Sequence, residues 1–239
     1  MPKKAQNHLG LFAKFWQPGL VKTRLAASIG EEKACELYFA FLNHLIKNLS
    51  TVGTDRRLVY SPLEQEASFR RIIPDSWGLY PQSVGNLGIR MNSFFNDQFN
   101  LSKSPGQFVR KVVIIGSDCP QIKSASVERA FEDLNRSSVV IGPSVDGGYY
   151  LLGMRERCFD IFTEIDWSTP TVLASTIAHL ERQGIEFTML EPLEDVDELN
   201  SLLALEEKMT RELQMQASLV NDEETKLLQK IRFALGRSG

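Results

Sequence analysis

The residues best suited to chemistry are aspartates that follow strand-like segments of the sequence. Asp118 lies in the segment GSDCP, directly after an apolar, β-branched run at residues 109–116. An aspartate at the end of a buried strand lies at the carboxyl edge of a sheet, where open α/β folds bind ligands. Asp118 is therefore a candidate catalytic residue. A turn or helix-cap role is the alternative, because aspartate is common at both.

A second acidic segment, EDVDEL at residues 194–199, follows the last predicted strand. Residues two apart in an extended segment point the same way, so Asp195 and Asp197 can project into one site. Three carboxylates that include Asp118 would repel each other, and a hard cation such as Mg²⁺ or Mn²⁺ would relieve that repulsion. The alternative is that Asp195 or Asp197 caps the helix that follows.

The positive charge near the first predicted strand lies in the loop KFWQPGLVKTRLA. This loop carries Lys14, Lys22 and Arg24, and Gly19 bends the chain between them. Ammonium and guanidinium groups at the mouth of a parallel sheet favour a bound phosphate. The spacing fits neither the P-loop nor the dinucleotide-binding fingerprint, which disfavours a Walker-type ATPase and a Rossmann dehydrogenase. The alternative is a solvated surface loop.

Two further segments could contact a substrate. GPSVDGGYYLLG places Asp146 before two glycines, which permit either close approach to a ligand or a tight hairpin turn. The tyrosines that follow could be half-buried strand residues. In WSTPTV, the hydroxyls of Ser168 and Thr169 either cap a helix or meet a bound group.

Cysteine and histidine offer little for catalysis. The three cysteines are odd in number and far apart, which fits neither a disulfide framework nor a zinc site and favours a reducing compartment. Cys119 lies beside Asp118, but no histidine motif accompanies it, so a small buried residue is the favoured interpretation. With only three histidines in the chain, two of them in helical segments, histidine-based nucleophilic catalysis is disfavoured.

Composition limits the class of protein and its partners. The 239 residues are 43% hydrophobic, which is enough for a packed core. The net charge near −3 gives no global attraction for nucleic acid. No apolar stretch of about 18 residues and no signal-peptide pattern occurs, so we expect no membrane insertion and a cytoplasmic location.

Alternating strand and helix patterns predict an α/β fold with a mainly parallel sheet. Strands are predicted at residues 9–13, 57–60, around 79, 109–116, 139–142, 149–154 and 185–190. Helices are predicted at residues 31–49, 64–73, 126–134, 170–183, 199–215 and 223–235. Thr169 and Pro170 suit the start of one helix and Gly184 suits its end, while Asn221 and Asp222 suit a polar turn. The last two helices could pack on the domain or mediate homo-oligomer formation.

Six segments occur together in an order that resembles a bacterial family: AKFWQPGLVKTRL, QSVGNLGIRM, IIGSDCP, GPSVDGGYYLLG, WSTPTV and EDVDEL. The family is that of the glycosyltransferase-A-superfamily proteins, or selenodomain-associated transferases, which have a nucleotide-diphospho-sugar transferase fold. The resemblance spans roughly residues 9–203. The chain is more distantly similar to phospholactate, phosphoenolpyruvate and molybdenum-cofactor guanylyltransferases.

The resemblance implies a Rossmann-like three-layer sandwich of the GT-A type with a mainly parallel mixed sheet at residues 1–203, followed by a helical extension at residues 204–239. It implies a metal-dependent transferase that uses a nucleoside triphosphate or nucleotide sugar and a small-molecule acceptor. Glycosyl and nucleotidyl transfer both remain open, with a lean toward the latter from the basic loop. A non-catalytic nucleotide-binding or partner-binding protein on the same fold is the rival hypothesis.

The resemblance also assigns roles to residues. Phosphate or nucleotide binding falls to Lys14, Gly19, Lys22, Arg24 and Gly88; metal binding to Asp118, Asp195 and Asp197; and acceptor binding to Gly147, Gly148, Tyr149, Trp167, Ser168 and Thr169. Asp146 is expected to orient the acceptor or accept its proton. The chain departs from the family pattern at Phe15, Trp16 and Gln17, where family members commonly have small residues and proline.

Overall fold

The computed structural model describes residues 4–100, 108–215 and 222–237. Its strands are β1 (Lys4–Lys14), β2 (Asp55–Ser61), β3 (Gly78–Pro81), β4 (Phe108–Gly116), β5 (Val139–Pro143), β6 (Tyr149–Arg155) and β7 (Phe187–Met189). Its α-helices are α1 (Thr23–Ile29), α2 (Glu31–Asn48), α3 (Glu66–Arg70), α4 (Leu87–Asn100), α5 (Ser124–Asp133), α6 (Val172–Arg182), α7 (Leu199–Met215) and α8 (Asp222–Ala234). A 3₁₀ turn at Leu63–Gln65 precedes α3.

The seven described strands form one sheet in the order β3-β2-β1-β4-β6-β5-β7. All neighbouring pairs are parallel except those that involve β6, which runs antiparallel to both β4 and β5. The chain moves outward from β1 to β3 and then returns to the other side of β1 with β4. The strand order therefore reverses between β1 and β4, and open α/β sheets bind ligands at the carboxyl ends of such strands.

Helices cover both faces of the sheet and give three layers. On one face, α2 and α5 pack against the sheet through Leu42, Leu45 and Phe131. On the other face, α4 and α6 pack through residues such as Phe94 and Leu180. The buried strand β4 contributes side chains to both layers, as its continuous apolar sequence predicts. The predicted α/β class with a mainly parallel mixed sheet is confirmed.

The two C-terminal helices pack on the helical layer formed by α1 and α2. Leu227 and Ile231 of α8 are buried in a cluster with Leu25 of α1 and Phe41 of α2. The predicted boundary between residues 203 and 204 falls within α7. Whether the C-terminal helices also mediate an oligomer stays a prediction. None of the described helices combines the length and hydropathy needed to cross a bilayer.

Several predicted elements differ from the structure in extent. The helix predicted from residue 170 begins at Val172, because Thr171 rather than Thr169 occupies its N-cap position. The helix predicted at residues 64–73 is a 3₁₀ turn followed by five residues of α3. Asp222 begins α8 instead of lying in a turn, and Asn221 lies outside the described residues. The short helix α1 and the longer α4 were not predicted.

Candidate functional site at the carboxyl edge of the sheet

The loops after β1 and β4 meet at the reversal of strand order and bring opposite charges together. Phe12 near the end of β1 pairs with Gly116 at the end of β4, so the loops that follow begin side by side. The Lys22 ammonium lies 2.5 Å from Asp118 Oδ1 and donates to Asp197 Oδ1 at 2.9 Å. Lys22 therefore joins segments that are far apart in the sequence.

Lys22 is held in an unusual conformation. It precedes α1 with a left-handed backbone (φ 51°, ψ 41°), which costs a residue with a Cβ about 1 kcal/mol. Its side chain is only 1% exposed, and its ammonium lies 6.0 Å from the centre of the Phe41 ring. Burial alone would lower the pKa of Lys22, but Asp118 and Asp197 outweigh burial and raise that pKa. Lys22 is therefore a charged, buried cation.

Asp195 and Asp146 add further negative charge to the same region. Burial, followed by the neighbouring carboxylates of Asp118 and Asp146, raises the pKa of Asp195 to about 7. Lys22 acts in the opposite direction but does not cancel the effect. The four acidic residues predicted from separate segments thus interact electrostatically at one edge of the sheet. Positive charge is scarce around Asp195.

Neither aspartate of the EDVDEL segment caps α7. The backbone N–H of Glu198 donates to Ser201 Oγ, and the backbone N–H of Leu202 donates to the Glu198 carbonyl. Glu198 therefore occupies the N-cap position. The backbone N–H of Val196 donates to the carbonyl of Asp118, which fixes the acidic segment against the loop after β4. The alternative capping roles of Asp195 and Asp197 are thereby excluded in this structure.

The other residues of the basic loop are more exposed. Arg24 is 68% exposed, with one guanidinium nitrogen 3.9 Å from Asp197 Oδ2 and the other 3.5 Å from Glu198 Oε1. Lys14 is exposed at the end of β1. Gly19 has φ +77° and shapes the turn in which the Leu20 N–H donates to the Gln17 carbonyl. Arg24 and Lys14 remain accessible to an anion, as does the turn between them.

The segment around Asp146 forms the predicted hairpin between β5 and β6. Asp146 Oδ1 accepts the N–H of Gly148 at 3.0 Å, so the carboxylate helps close the turn. Gly147 has φ +89°, and a Cβ on it would overlap the carbonyl of Pro170. The Leu173 N–H also donates to the Gly147 carbonyl. The hairpin and the start of α6 therefore touch backbone to backbone, which explains why glycine stands there.

The remaining predicted binding residues make structural contacts. Gly88 is buried at the start of α4 and lies directly against the indole of Trp167, which also stacks on Phe162. The hydroxyl of Tyr149 is buried, and burial raises its pKa. Thr169 Oγ1 donates to the Asp166 carbonyl, and Ser168 is exposed with φ +67°. Roles of these residues in substrate binding stay predictions.

Cys119 and the aromatic pair after β1 are both directed inward. Cys119 is 1% exposed, and burial raises the pKa of its thiol to about 12, so it does not form a thiolate near neutral pH. The Trp16 ring lies 4.6 Å from Phe39 and 5.3 Å from Phe69 between ring centres. The large residues that depart from the family pattern thus fill a core cluster beside the basic loop.

Two polar networks at this edge were not predicted. The Tyr38 hydroxyl of α2 accepts the Lys14 N–H at 2.9 Å and lies 3.0 Å from Ser117 Oγ. Gln82 donates to the carbonyls of Ala13 and Val59, while Arg90 donates to Gln82 Oε1. In sequence, Tyr38 fits the apolar face of α2, where it is buried. A hydroxyl on that face is a signal that could have identified it.

The carboxylates of this edge are suitable ligands for a hard divalent cation, although in this structure the Lys22 ammonium contacts both Asp118 and Asp197. Carboxylate oxygens are the ligands that Mg²⁺ and Mn²⁺ prefer. Burial first, and then Asp118 and Asp146, raise the pKa of Asp195, so a bound cation would favour the ionised form of this carboxyl. Within the described ranges, no three acidic, histidine or cysteine residues are grouped closely enough to hold a metal ion. The predicted metal site at Asp118, Asp195 and Asp197 therefore stays a prediction.

The chain is similar to proteins named as transferases. It is 29% identical over 189 residues to 2-phospho-L-lactate guanylyltransferase of Methanopyrus kandleri. The alignment covers 76% of this chain and 83% of the relative. A crystal structure from Desulfovibrio desulfuricans G20, provisionally assigned as a nucleotide-diphospho-sugar transferase, superposes with a TM-score of 0.81 at 28% identity, over 96% of this chain and 98% of that one.

A more remote structure supports the same fold. CMP:2-keto-3-deoxy-manno-octonic acid synthetase, solved as a complex with CTP, matches with a TM-score of 0.53 at 10% identity, over 87% of this chain and 100% of that chain. The predicted nucleotide-diphospho-sugar transferase fold is thereby confirmed. A family model matches residues 45–169, just over half of the chain. The chain belongs to that family, which is described as "Uncharacterized protein conserved in bacteria (DUF2064)".

Proposed function

We propose that this protein is a metal-dependent transferase that moves a nucleotidyl group from a nucleoside triphosphate to a small acceptor and releases pyrophosphate. The observation that carries the proposal is the meeting of Lys22, Asp118 and Asp197 at the reversal of strand order, with Asp195 beside them. Carboxylates and basic side chains lie close together at this edge of the sheet, so the site could bind a polyphosphate together with its divalent cation. A structural role alone gives no reason to place several partly exposed carboxylates there.

The chain's own residues would bind and orient the two substrates. Arg24 and Lys14 are exposed cations at the mouth of the site and would contact phosphate oxygens. Asp118, Asp195 and Asp197 would hold Mg²⁺ or Mn²⁺, which when bound supplies charge neutralisation to the phosphates. Asp146 keeps one carboxylate oxygen outside its turn bond and would orient the acceptor or accept its proton. No covalent enzyme intermediate is required.

Nucleotidyl transfer is favoured over glycosyl transfer by the relative from Methanopyrus kandleri, which is named as a guanylyltransferase and aligns with three quarters of the chain. The remote synthetase with CTP bound also carries a nucleoside triphosphate on this fold. Glycosyl transfer is the second candidate, because the Desulfovibrio desulfuricans G20 structure, which is 28% identical over 96% of this chain, is provisionally assigned as a nucleotide-diphospho-sugar transferase. In that case a diphosphate would leave from the sugar C1.

The first experiment separates these possibilities by ligand. The melting temperature is measured with Mg²⁺ or Mn²⁺ and each of GTP, CTP, UTP, ATP, UDP-glucose and GDP-mannose. We expect one nucleoside triphosphate to stabilise the protein more than any nucleotide sugar. Pyrophosphate release is then measured with that nucleotide and 2-phospho-L-lactate, the compound in the relative's name, as the first acceptor.

Variants link the result to the site. Asp118→Asn should reduce pyrophosphate release by about 100-fold or more, because it removes a carboxylate that would hold the divalent cation against the phosphates. Asp222→Asn is the matched control, since Asp222 is 90% exposed on α8 and should leave the rate unchanged. Stabilisation by nucleotide sugars alone would favour glycosyl transfer. Equal metal and nucleotide binding by wild type and Asp118→Asn, without turnover, would favour the non-catalytic rival.

A further inference from the structure

We infer that Lys22 is the internal counter-ion of Asp118 and Asp197 in the nucleotide-free protein, and that it makes binding of a divalent cation depend on binding of a polyphosphate. The inference rests on the proposed function, because it concerns how that site takes up metal and nucleotide. It goes beyond that function by making Lys22 the partner of Asp118 and Asp197 before nucleotide binds. It also predicts how the divalent cation and the polyphosphate affect each other's binding.

The exposure of the three side chains defines their arrangement. The Lys22 side chain is 1% exposed, whereas Asp118 and Asp197 are 50% and 34% exposed. The ammonium therefore lies beneath two carboxylates that still face solvent. A divalent cation that reached these two carboxylates would meet a negative charge that one ammonium already partly neutralises, with that fixed positive charge a few ångströms behind them. Coulomb repulsion from Lys22 therefore weakens cation binding in the free protein.

Lys22 is fixed by more than its two ion pairs. Its left-handed backbone directs the side chain inward, and its stem packs near Phe41, whose ring faces the ammonium at 6.0 Å. The two segments that carry the aspartates are joined by the Val196 N–H to the Asp118 carbonyl. A surface lysine that pairs by chance has neither kind of support. The counter-ion position is therefore a built feature of the loop after β1.

A polyphosphate changes this balance. Its several negative charges attract both the Lys22 ammonium and a divalent cation, so the repulsion between the two cations no longer opposes binding. Cation and polyphosphate should therefore each increase the affinity of the protein for the other, by the same factor in both directions. Lys22 is a group through which this coupling acts.

The test measures Mn²⁺ binding without nucleotide, from the electron paramagnetic resonance signal of free Mn²⁺. Lys22→Met should bind Mn²⁺ about 10- to 100-fold more tightly than wild type, which is the usual range of such coupling. Lys22→Arg keeps the charge and should stay within about twofold of wild type. Lys123→Met removes a lysine that is paired with Glu212 at 3.2 Å on the surface, and it should also match wild type.

A second measurement uses only the wild type, in case Lys22→Met does not fold. Its melting temperature is recorded with Mn²⁺, with inorganic tripolyphosphate, and with both. We expect a combined shift larger than the sum of the separate shifts. Additive shifts, or a folded Lys22→Met that binds Mn²⁺ no more tightly than wild type, would overturn the inference. Neither result depends on turnover, so loss of the transferase hypothesis would be recognised separately, by the absence of nucleotide binding and pyrophosphate release.

Discussion

Tyr38 on α2 and Ser117 at the end of β4 share a hydrogen bond of 3.0 Å between their hydroxyl oxygens. The same Tyr38 hydroxyl accepts the Lys14 N–H at 2.9 Å and lies 3.1 Å from the Lys14 carbonyl oxygen. Tyr38 therefore ties together the ends of β1 and β4. Those two strands lead into the loops that carry Lys22 and Asp118, so a helix side chain sets the distance between the charged residues.

We predict that Tyr38→Phe weakens both the fold and the site. Loss of a buried hydroxyl that serves several backbone and side-chain groups should lower the free energy of unfolding by about 1–2 kcal/mol. Nucleotide affinity should fall as well, because the two loops lose their common anchor. Urea unfolding gives the first quantity, and the nucleotide-dependent shift in melting temperature gives the second.

Tyr60→Phe is the matched control for this substitution. Tyr60 is also buried, and its hydroxyl donates to Glu66 Oε2 at 3.2 Å, beyond the end of β2. We expect a smaller loss of stability and no change in nucleotide binding. An equal effect of the two variants on nucleotide binding would contradict the positioning role of Tyr38.

The parts of the site that follow from sequence are those set by strand direction. Asp118 was placed at the carboxyl edge because it follows a continuous apolar strand, and parallel strands end at one edge. The contact between Lys22 and two aspartates could not be predicted in the same way. It depends on the left-handed backbone of Lys22 and on the path of the loop at residues 15–22, neither of which has a periodic signal. The role of Tyr38 was hidden for a related reason, since a buried tyrosine fits an apolar helix face.

The fold itself was predictable where the hydrophobic period was clear. The helix α2 repeats apolar residues at three- and four-residue steps and was predicted within one residue of its observed end. The helix α4 was missed because QSVGNLGIRM contains two glycines and several polar residues, which interrupt any apolar repeat. Its N-cap signal was nevertheless present, since Asn86 Oδ1 accepts the N–H of Ile89. The cap residue Asn86, followed by the apolar residues Phe94 and Phe95, would have been sufficient evidence to predict α4.

The raised pKa of Asp195 predicts a specific dependence of stability on pH in the absence of divalent cations. The native state keeps the Asp195 proton up to about pH 7, whereas the unfolded chain releases it near its ordinary value of 3.8. Between these values the native state binds more protons, so the contribution of Asp195 to stability falls as pH rises. Asp195→Asn removes this titration. Its free energy of unfolding relative to wild type should therefore rise between pH 4 and pH 7, by an amount on the order of 1–3 kcal/mol.

The comparison is made by urea unfolding at several pH values with a chelator present. Asp222→Asn, on the surface of α8, is the matched control for the change from aspartate to asparagine. A pH-independent difference for Asp195→Asn would show that Asp195 is ionised throughout and would contradict the electrostatic account of the acidic residues.

Gly147 should be intolerant of a side chain because it combines a positive φ with a close contact. Gly147→Ala places a methyl group on the Pro170 carbonyl at φ +89°. We expect the free energy of unfolding to fall by about 3 kcal/mol or more, since backbone strain and steric overlap act together.

Gly30→Ala separates the two effects, because Gly30 has φ +90° and open space around its Cβ position. Its loss should be limited to about 1–2 kcal/mol of backbone strain. Equal losses in urea unfolding would show that the contact between the hairpin and α6 is unimportant.

Gly88 and Trp167 should be energetically coupled, although they were predicted to bind different substrates. A Cβ on Gly88 would overlap the Trp167 indole, so Gly88→Ala should cost about 1–3 kcal/mol through overpacking. In a Trp167→Leu background the smaller side chain leaves room, and the same substitution should then cost less than about 0.5 kcal/mol. The double-mutant cycle by urea unfolding measures this difference directly. If Gly88→Ala lowers stability equally in both backgrounds, the requirement for glycine comes from the backbone or from a protein neighbour other than Trp167. If it is harmless in the free protein but reduces nucleotide binding, Gly88 has the binding role that the family resemblance implies rather than the packing role indicated by the indole contact.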